Sequence, residues 1–310
     1  MATQLYPFSN PIPSPHSRFS NPPNSSSQFR LSPPIRSAPL LPHRLRNSLF
    51  SFSFTPAGKR RILASLTASM LPENPFAYDV CIAAVASAFA FSMLRFWEEM
   101  AKRGVFDQKL NRKLVHISVG LAFMLFWPLF SSGRQAAFLA SLAPGLNIIR
   151  MLLLGLGIWR NDAMVKSMSR HGDYRELLKG PLYYASTITL ATLFFWRTSP
   201  VAISAICNLC AGDGFADIVG RRFGTQKLPY NSKKSVVGSF AMASAGFIAS
   251  VGYMYYFSMF GFMEVSLRLI FGFLLVSLAT AIVESLPIST ELDDNLTVPL
   301  TSLVFGTLIL

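Results

Sequence analysis

Apolar residues in this chain come in long unbroken runs. From about residue 78 onward they recur at about 78–96, 114–131, 135–158, 181–197, 199–219, 236–260, 266–286 and 297–310. Several runs are near the ~20 residues a helix needs to cross a bilayer; the fourth and the last are short. Aromatic residues stand at their ends (Phe96-Trp97, Trp127, Trp159, Trp196, Tyr253 to Tyr256), as in the belts of membrane interfaces. Solid runs do not suit the alternation of a transmembrane barrel. Only helices and closed barrels satisfy their own backbone groups in lipid. The pattern therefore predicts an all-α fold, a polytopic transmembrane helical bundle of about 7–8 spans.

The polar connections between the runs alternate in charge. The first carries Lys102, Arg103, Lys109, Arg112 and Lys113, the third Arg160, Lys166, Arg170, Arg175 and Lys179, and the fifth Arg221, Arg222, Lys227, Lys233 and Lys234. The second, fourth and sixth are short and nearly uncharged. With eight spans the odd connections share one face, as positively charged loops do. The seventh connection, with Glu284, Glu291, Asp293 and Asp294, falls on that face too. Basic groups and an acidic cluster are expected together at one end of the bundle.

Composition agrees with a membrane body. Of 310 residues, 51% are hydrophobic and 14% charged, against about 25% charged in an average soluble domain. The formal charge of +13 is concentrated at the start of the chain. Residues 1–62 hold eight Lys or Arg, eleven Pro and no Asp or Glu; setting those eight aside leaves about +5 for the rest. Basic groups confined to a tail and to short loops do not form the basic, aromatic-interleaved surface of a nucleic-acid binder. Such an Arg- and Ser-rich, acid-poor start has the composition of an organelle transit peptide, and its proline density favours a plastid over a mitochondrion. The chain thus divides into a disordered plastid transit peptide at 1–62, a linker at 63–77 and a transmembrane domain at 78–310. Cys81, Cys207 and Cys210 are odd in number and lie in apolar runs, which argues for packing rather than a disulfide framework or a zinc site.

The chemistry concentrates in the segment GDGFADIVGRRFG, residues 212–224. Asp213 and Asp217 are spaced i, i+4 at the end of an apolar run, on one helical face. Acids within a span are costly and default to function. Mg²⁺ takes one or two carboxylates plus substrate phosphates. Gly212 and Gly214 let backbone approach a ligand, and Arg221 and Arg222 can fork onto phosphate oxygens. A structural Asp–Arg pair capping the helix is the plain alternative. The GxxxxGK[ST] phosphate loop is absent. In PYNSKKSVVGS (229–239), Lys233 and Lys234 precede a helix opened by Ser235, an anion site by geometry and dipole; they also suit plain membrane anchors. Lys113 and His116 enter the second run. Lys179 lies before Gly180-Pro181, a helix start. Asp294 joins the acids as a metal candidate. Cation-binding acids, phosphate-binding bases and a lipid-embedded body are the parts of phosphoryl transfer to an apolar acceptor. A base must accept the acceptor's proton; Asp213, Asp217 and His116 are all candidates.

The segments RKLVHI (112–117), ELLKGPLYY (176–184), GDGFADIVGRRFG (212–224), PYNSKKSVVGS (229–239), VESLP (283–287) and DDNLTVPL (293–300) resemble the plant polyprenol kinase family, in order and across essentially all of 70–310. Within it, FDQKL, SMSRHGD, CNLCAGDG and VESLPIST are most similar to the farnesol kinase branch. A more distant similarity reaches dolichol kinases. The resemblance implies a kinase using CTP, with UTP or ATP as alternatives, and Mg²⁺ to make a prenyl monophosphate in a chloroplast membrane. It also implies that Asp213, Asp217, Arg221, Arg222, Lys234 and Ser235 fall on the nucleotide-binding stretch. The expected partners are a prenyl alcohol (farnesol, otherwise geranylgeraniol or phytol), the nucleotide and the lipid bilayer; no obligate protein partner is evident. Competing readings are a lipid-phosphate cytidylyltransferase and a transporter, the latter disfavoured because the two halves show no convincing internal repeat.

Overall fold

The computed structural model describes residues 74–310. The transit-peptide expectation for 1–62, and most of the 63–77 linker, lie outside the described residues. The apolar runs become helices: α1 (Pro75–Arg103), α2 (Gln108–Met124), α3 (Gln135–Gly155), α5 (Gly180–Leu190), α6 (Pro200–Cys207) continuing into α7 (Asp213–Phe223), α8 (Val236–Met259), α9 (Leu267–Ser285) and α11 (Asp294–Ile309). Short α4 (Asp162–Met168) and α10 (Ile288–Glu291) lie in connections. Among the described residues, six helical stretches are long and apolar enough to cross a membrane, α6–α7 counting as one. The fourth and last runs form shorter helices, the fourth extended by a π-turn at Ala191–Phe195.

Local signals set the ends. Asn74 caps α1 by accepting from the Phe76 N–H at 2.9 Å, with Pro75 in the first turn. Gly104 ends α1 in the left-handed region at φ 64°, a conformation costly for a residue with a Cβ. Asp107, Ser199, Ser235, Ser266 and Asp293 cap α2, α6, α8, α9 and α11. One non-helical addition was not expected: β1 (Lys227–Leu228) and β2 (Asn231–Ser235) form a small antiparallel hairpin.

The stretch Pro200–Phe223 is the centre of the bundle. Its apolar window is 78% buried, against 22–44% for the other five. It packs on α8, α11 and α2, while α9 joins α8 to α11 and α3 lies between α1 and α5. Trp127, expected at a lipid interface, is instead fully buried and stacks on Phe257 at 6.1 Å. Cys207 and Cys210 are free and buried in the same cluster. At the end of the bundle away from Arg103, Arg197 donates to the carbonyls of Trp127, Phe130 and Ser131, and Asp79 accepts from the Ser131 N–H and hydroxyl.

Candidate active site

A π-turn at Asn208–Gly212 interrupts the central helix just before Asp213. Such one-residue bulges re-aim the side chains that follow them. Asp213 is buried, and its Oδ2 accepts from the Lys113 ammonium at 2.6 Å. The His116 Nε2 stands 3.2 Å from the same oxygen and 2.7 Å from the Leu209 carbonyl. A carbonyl only accepts, so Nε2 carries the hydrogen. Tyr184 donates to the His116 carbonyl at 2.6 Å and lies against the imidazole. One turn on, Asp217 is half-buried and ion-paired with Arg221.

Both carboxylates face one polar cleft of about 1090 Å³. Its walls come from every odd connection. Lys109 and Arg112 enter from the start of α2, Arg170, His171 and Lys179 from the third connection, and Arg221, Lys227, Lys233 and Lys234 from the fifth. Glu284, Asp293 and Asp294 supply the acids of the seventh. The hairpin is pinned over the cleft, because Asn231 donates to the Ser285 carbonyl at 3.0 Å and Tyr230 bonds the Ser285 hydroxyl at 2.9 Å. Lys234 forms an ion pair with Glu284. Ser235 caps α8, its hydroxyl accepting from the Gly238 N–H at 3.2 Å, so the positive end of that helix opens onto the cleft.

Two groups outside the spans are shifted by this crowding. Burial pushes the Asp294 carboxyl above the usual aspartate range, and the neighbouring Asp213 charge adds to it. Burial opposes the Lys234 charge, but Glu284 and then Asp294 outweigh it and hold the ammonium above the usual lysine range. Lys179 and Lys233 are exposed and make no ion pair among the described residues.

Known proteins resemble this chain over most of its length. It is 64% identical to probable phytol kinase 2, chloroplastic, of Oryza sativa subsp. japonica over 267 residues, 84% of this chain and 88% of that protein. It is 62% identical to farnesol kinase, chloroplastic, of Arabidopsis thaliana over 266 residues, 86% of each. It is 66% identical to probable phytol kinase 3, chloroplastic, of Glycine max over 242 residues, 78% of this chain and 76% of that protein. The chain belongs to the plant prenol kinase family. No protein-family model and no solved structure matches it.

Placed on this prenol kinase fold, the expected site residues divide. Asp213, Asp217, Asp294, Arg221, Lys179, Lys233, Lys234 and Ser235 line the cleft. Lys113 and His116 lie beneath it, turned onto Asp213. Gly212 and Gly214, expected to approach a ligand, instead bring helices together: a Cβ on Gly214 would strike Ile117 of α2, and one on Gly212 would press the Met242 carbonyl of α8 at 3.3 Å. Arg222 is outside the cleft, its guanidinium 5.8 Å from the Phe223 ring. Arg170, His171 and Lys227 were not singled out beforehand. The clue to the first two was SMSRHGD, a polar segment lodged between apolar ones, where Glu176 holds the Arg170 N–H and the His171 ring.

Proposed function

We propose that this chain transfers the γ-phosphoryl group of a nucleoside triphosphate to a prenyl alcohol, with farnesol as the preferred acceptor, geranylgeraniol or phytol as alternatives, and CTP as donor. The observation that carries this reading is a cleft in which basic residues from three connections surround buried acids at one end of an apolar bundle. The relatives named farnesol kinase and phytol kinase support the acceptor class. The distant similarity to dolichol kinases supports CTP. The relatives are chloroplastic and the chain has several helices able to span a membrane, so it is a multi-pass protein of a chloroplast membrane.

The donor set fits Mg²⁺. Asp213 and Asp217 offer oxygen ligands from one helical face. No cluster of three or more His, Cys, Asp or Glu is poised for a metal among the described residues, which suits an ion completed by phosphate oxygens and water. Asp213 and Asp217 would hold it, and it would neutralise charge on the nucleotide's phosphate groups. Lys113 and His116 fix the Asp213 carboxylate as positioning groups. Lys179, Lys233 and Arg221, with the α8 N-terminus, bind phosphate oxygens. The acceptor oxygen attacks the γ-phosphorus while its bond to the bridging oxygen breaks, and the nucleoside diphosphate leaves with that electron pair. The hydroxyl proton passes to Asp294, whose buried Oδ1 stands 3.6 Å from the Arg170 guanidinium and accepts no hydrogen bond.

The test uses membranes bearing the full chain, with farnesol, geranylgeraniol or phytol against CTP, UTP and ATP labelled at the γ or α position. Prenyl phosphate carrying only γ-label is expected. Release of pyrophosphate with α-label on the lipid would instead make the protein a cytidylyltransferase.

A further inference from the structure

Two apolar crevices continue inward from the polar cleft. The first touches the cleft at Arg112 and is lined also by His116, Pro181 and Asn295. The second lies deeper, among Ser87, Ala90, Phe123 and Ile188. Leu94, Val119, Asn147 and Tyr184 line both, so the two lie end to end with these side chains between them. Their shared direction can be read along the helices. On α2 it runs from Arg112 past Val119 to Phe123; on α5 it runs from Pro181 past Tyr184 to Ile188. From Arg112 to Phe123, at 1.5 Å per residue, the two crevices together descend about 16 Å, close to the extended length of a farnesyl chain.

The mouth is polar and unsatisfied. Arg112 Nε and Asn295 Oδ1 at the mouth, and Asn147 Oδ1 where the two crevices meet, are buried with no hydrogen-bond partner, although buried polar atoms usually find one. The rest is apolar and narrow, with cavity volumes of about 50 Å³ and 40 Å³. The flanking side chains must part to admit even one chain, which disfavours the two chains of a diacyl lipid. A polar end beside the phosphate cleft and a tail reaching into the bundle match a single-chain alcohol.

We propose that this passage between α1, α2, α3 and α5 binds the acceptor, with the hydroxyl end at Arg112 and Asn295 and the tail against Val119 and Tyr184. Its inner end, between Ala90, Phe123 and Ile188, sets the chain length accepted. The assignment rests on the prenyl alcohol reading above and adds the place and the ruler. Ser87 and Ala90 are half-buried, so this wall faces the lipid from which such an alcohol would enter.

The experiment compares the wild type with Ala90→Phe, which adds bulk at the inner end, where Ala90 is half-buried. Val85→Phe, on the same helix but 55% exposed and outside the passage, is the control for bulk. kcat/KM is measured for geraniol, farnesol, geranylgeraniol and phytol. Ala90→Phe is expected to lower the ratio of C20 to C10 acceptors at least tenfold, and Val85→Phe to leave it within twofold. In parallel, a farnesol analogue carrying a diazirine at its tail is photolysed on the wild-type protein and the labelled peptides mapped. Label on α1 and α2 near Ala90 and Phe123, competed by farnesol, is expected; this arm decides the matter if Ala90→Phe does not fold. An unchanged acceptor profile in folded Ala90→Phe, or label confined to α8 and α9, would overturn the passage alone. A wild type that phosphorylates no prenyl alcohol would overturn the functional reading and the passage with it.

Discussion

The Lys113–Asp213 pair joins residues 100 positions apart, with side chains only 1% and 2% exposed. At 2.6 Å the attraction is roughly 6 kcal/mol for an effective dielectric of about 20. Taking both ions out of water costs several kcal/mol each. The two terms nearly cancel, so the pair adds little net stability. Removing one partner is another matter, because the desolvation of the survivor then stands alone. Lys113→Met is expected to cost about 3–5 kcal/mol, a large part of a typical total of 5–15 kcal/mol. Asp213→Asn should also destabilise, through the ammonium left behind. Lys113→Met/Asp213→Asn should recover at least ~2 kcal/mol relative to Lys113→Met, a non-additivity within the range seen for contacting pairs. It should still form no prenyl phosphate, because the carboxylate is gone. Denaturant unfolding in detergent, followed by tryptophan fluorescence, measures all three variants, and a kinase assay runs beside it. A Lys113→Met loss under about 1 kcal/mol, or strictly additive effects, would refute the reasoning.

Lys179→Ala and Lys233→Ala remove exposed, unpaired cations from the cleft; each is expected to raise the nucleotide KM roughly tenfold, about 1.4 kcal/mol, with stability within about 0.5 kcal/mol. Arg222→Ala, outside the cleft, should leave that KM within twofold in the same steady-state assay. Gly214→Ala drives a methyl into Ile117 and should destabilise by about 1–3 kcal/mol, with partial rescue by Ile117→Ala in a thermal-unfolding assay. The Asp294 carboxyl takes up its proton at higher pH in the fold than in the unfolded chain. Its neutral form thus favours folding below the ordinary aspartate range, and that contribution is lost as pH rises through the raised value. Because the proposed base must be charged, the acid limb of kcat should lie above the ordinary aspartate range. Asp294→Asn should lower kcat at least ~100-fold and abolish that limb in a pH–rate profile; a wild-type rate and profile would remove Asp294 from the chemistry.

The helices were legible because in lipid one property, an uninterrupted apolar run, decides both existence and length. The cap residues refined the ends: the run at 236–260 became Val236–Met259 behind Ser235. What the runs could not carry was rotation about each helix axis. Arg112 and Lys113 are neighbours in sequence, yet about 100° apart on a helix of 3.6 residues per turn. One lines the cleft, and the other is sealed beneath it on Asp213. Without the packing partner, nothing in RKLVHI chooses between them. Glycine was ambiguous for a related reason. A missing Cβ serves equally for approach to a phosphate or to another helix, and only the presence of Ile117 and Met242 shows that Gly214 and Gly212 do the latter. Trp127 was misplaced because an aromatic at the end of a run suits either an interface or a core; Phe257, 130 residues away, settles it.

The same rotational question explains how the proposed phosphate and lipid-alcohol sites can share one short helix segment. Residues 112–123 of α2 wind past three environments. Arg112 reaches the cleft, Lys113 and His116 brace the Asp213 carboxylate, and Val119 and Phe123 face the apolar crevices. A rigid helix therefore couples the depth of the tail to the position of the hydroxyl. On that proposal, a tail that stops short of Phe123 would leave the hydroxyl free to slide, whereas one that fills the passage would fix it beside Arg112 and Asn295. Since orientation contributes to the rate only when the bound geometry is close to attack, acceptor length should act on kcat as well as on KM. Geraniol should then show a lower kcat than farnesol at saturation. Equal kcat values across the series would show that the tail supplies affinity alone.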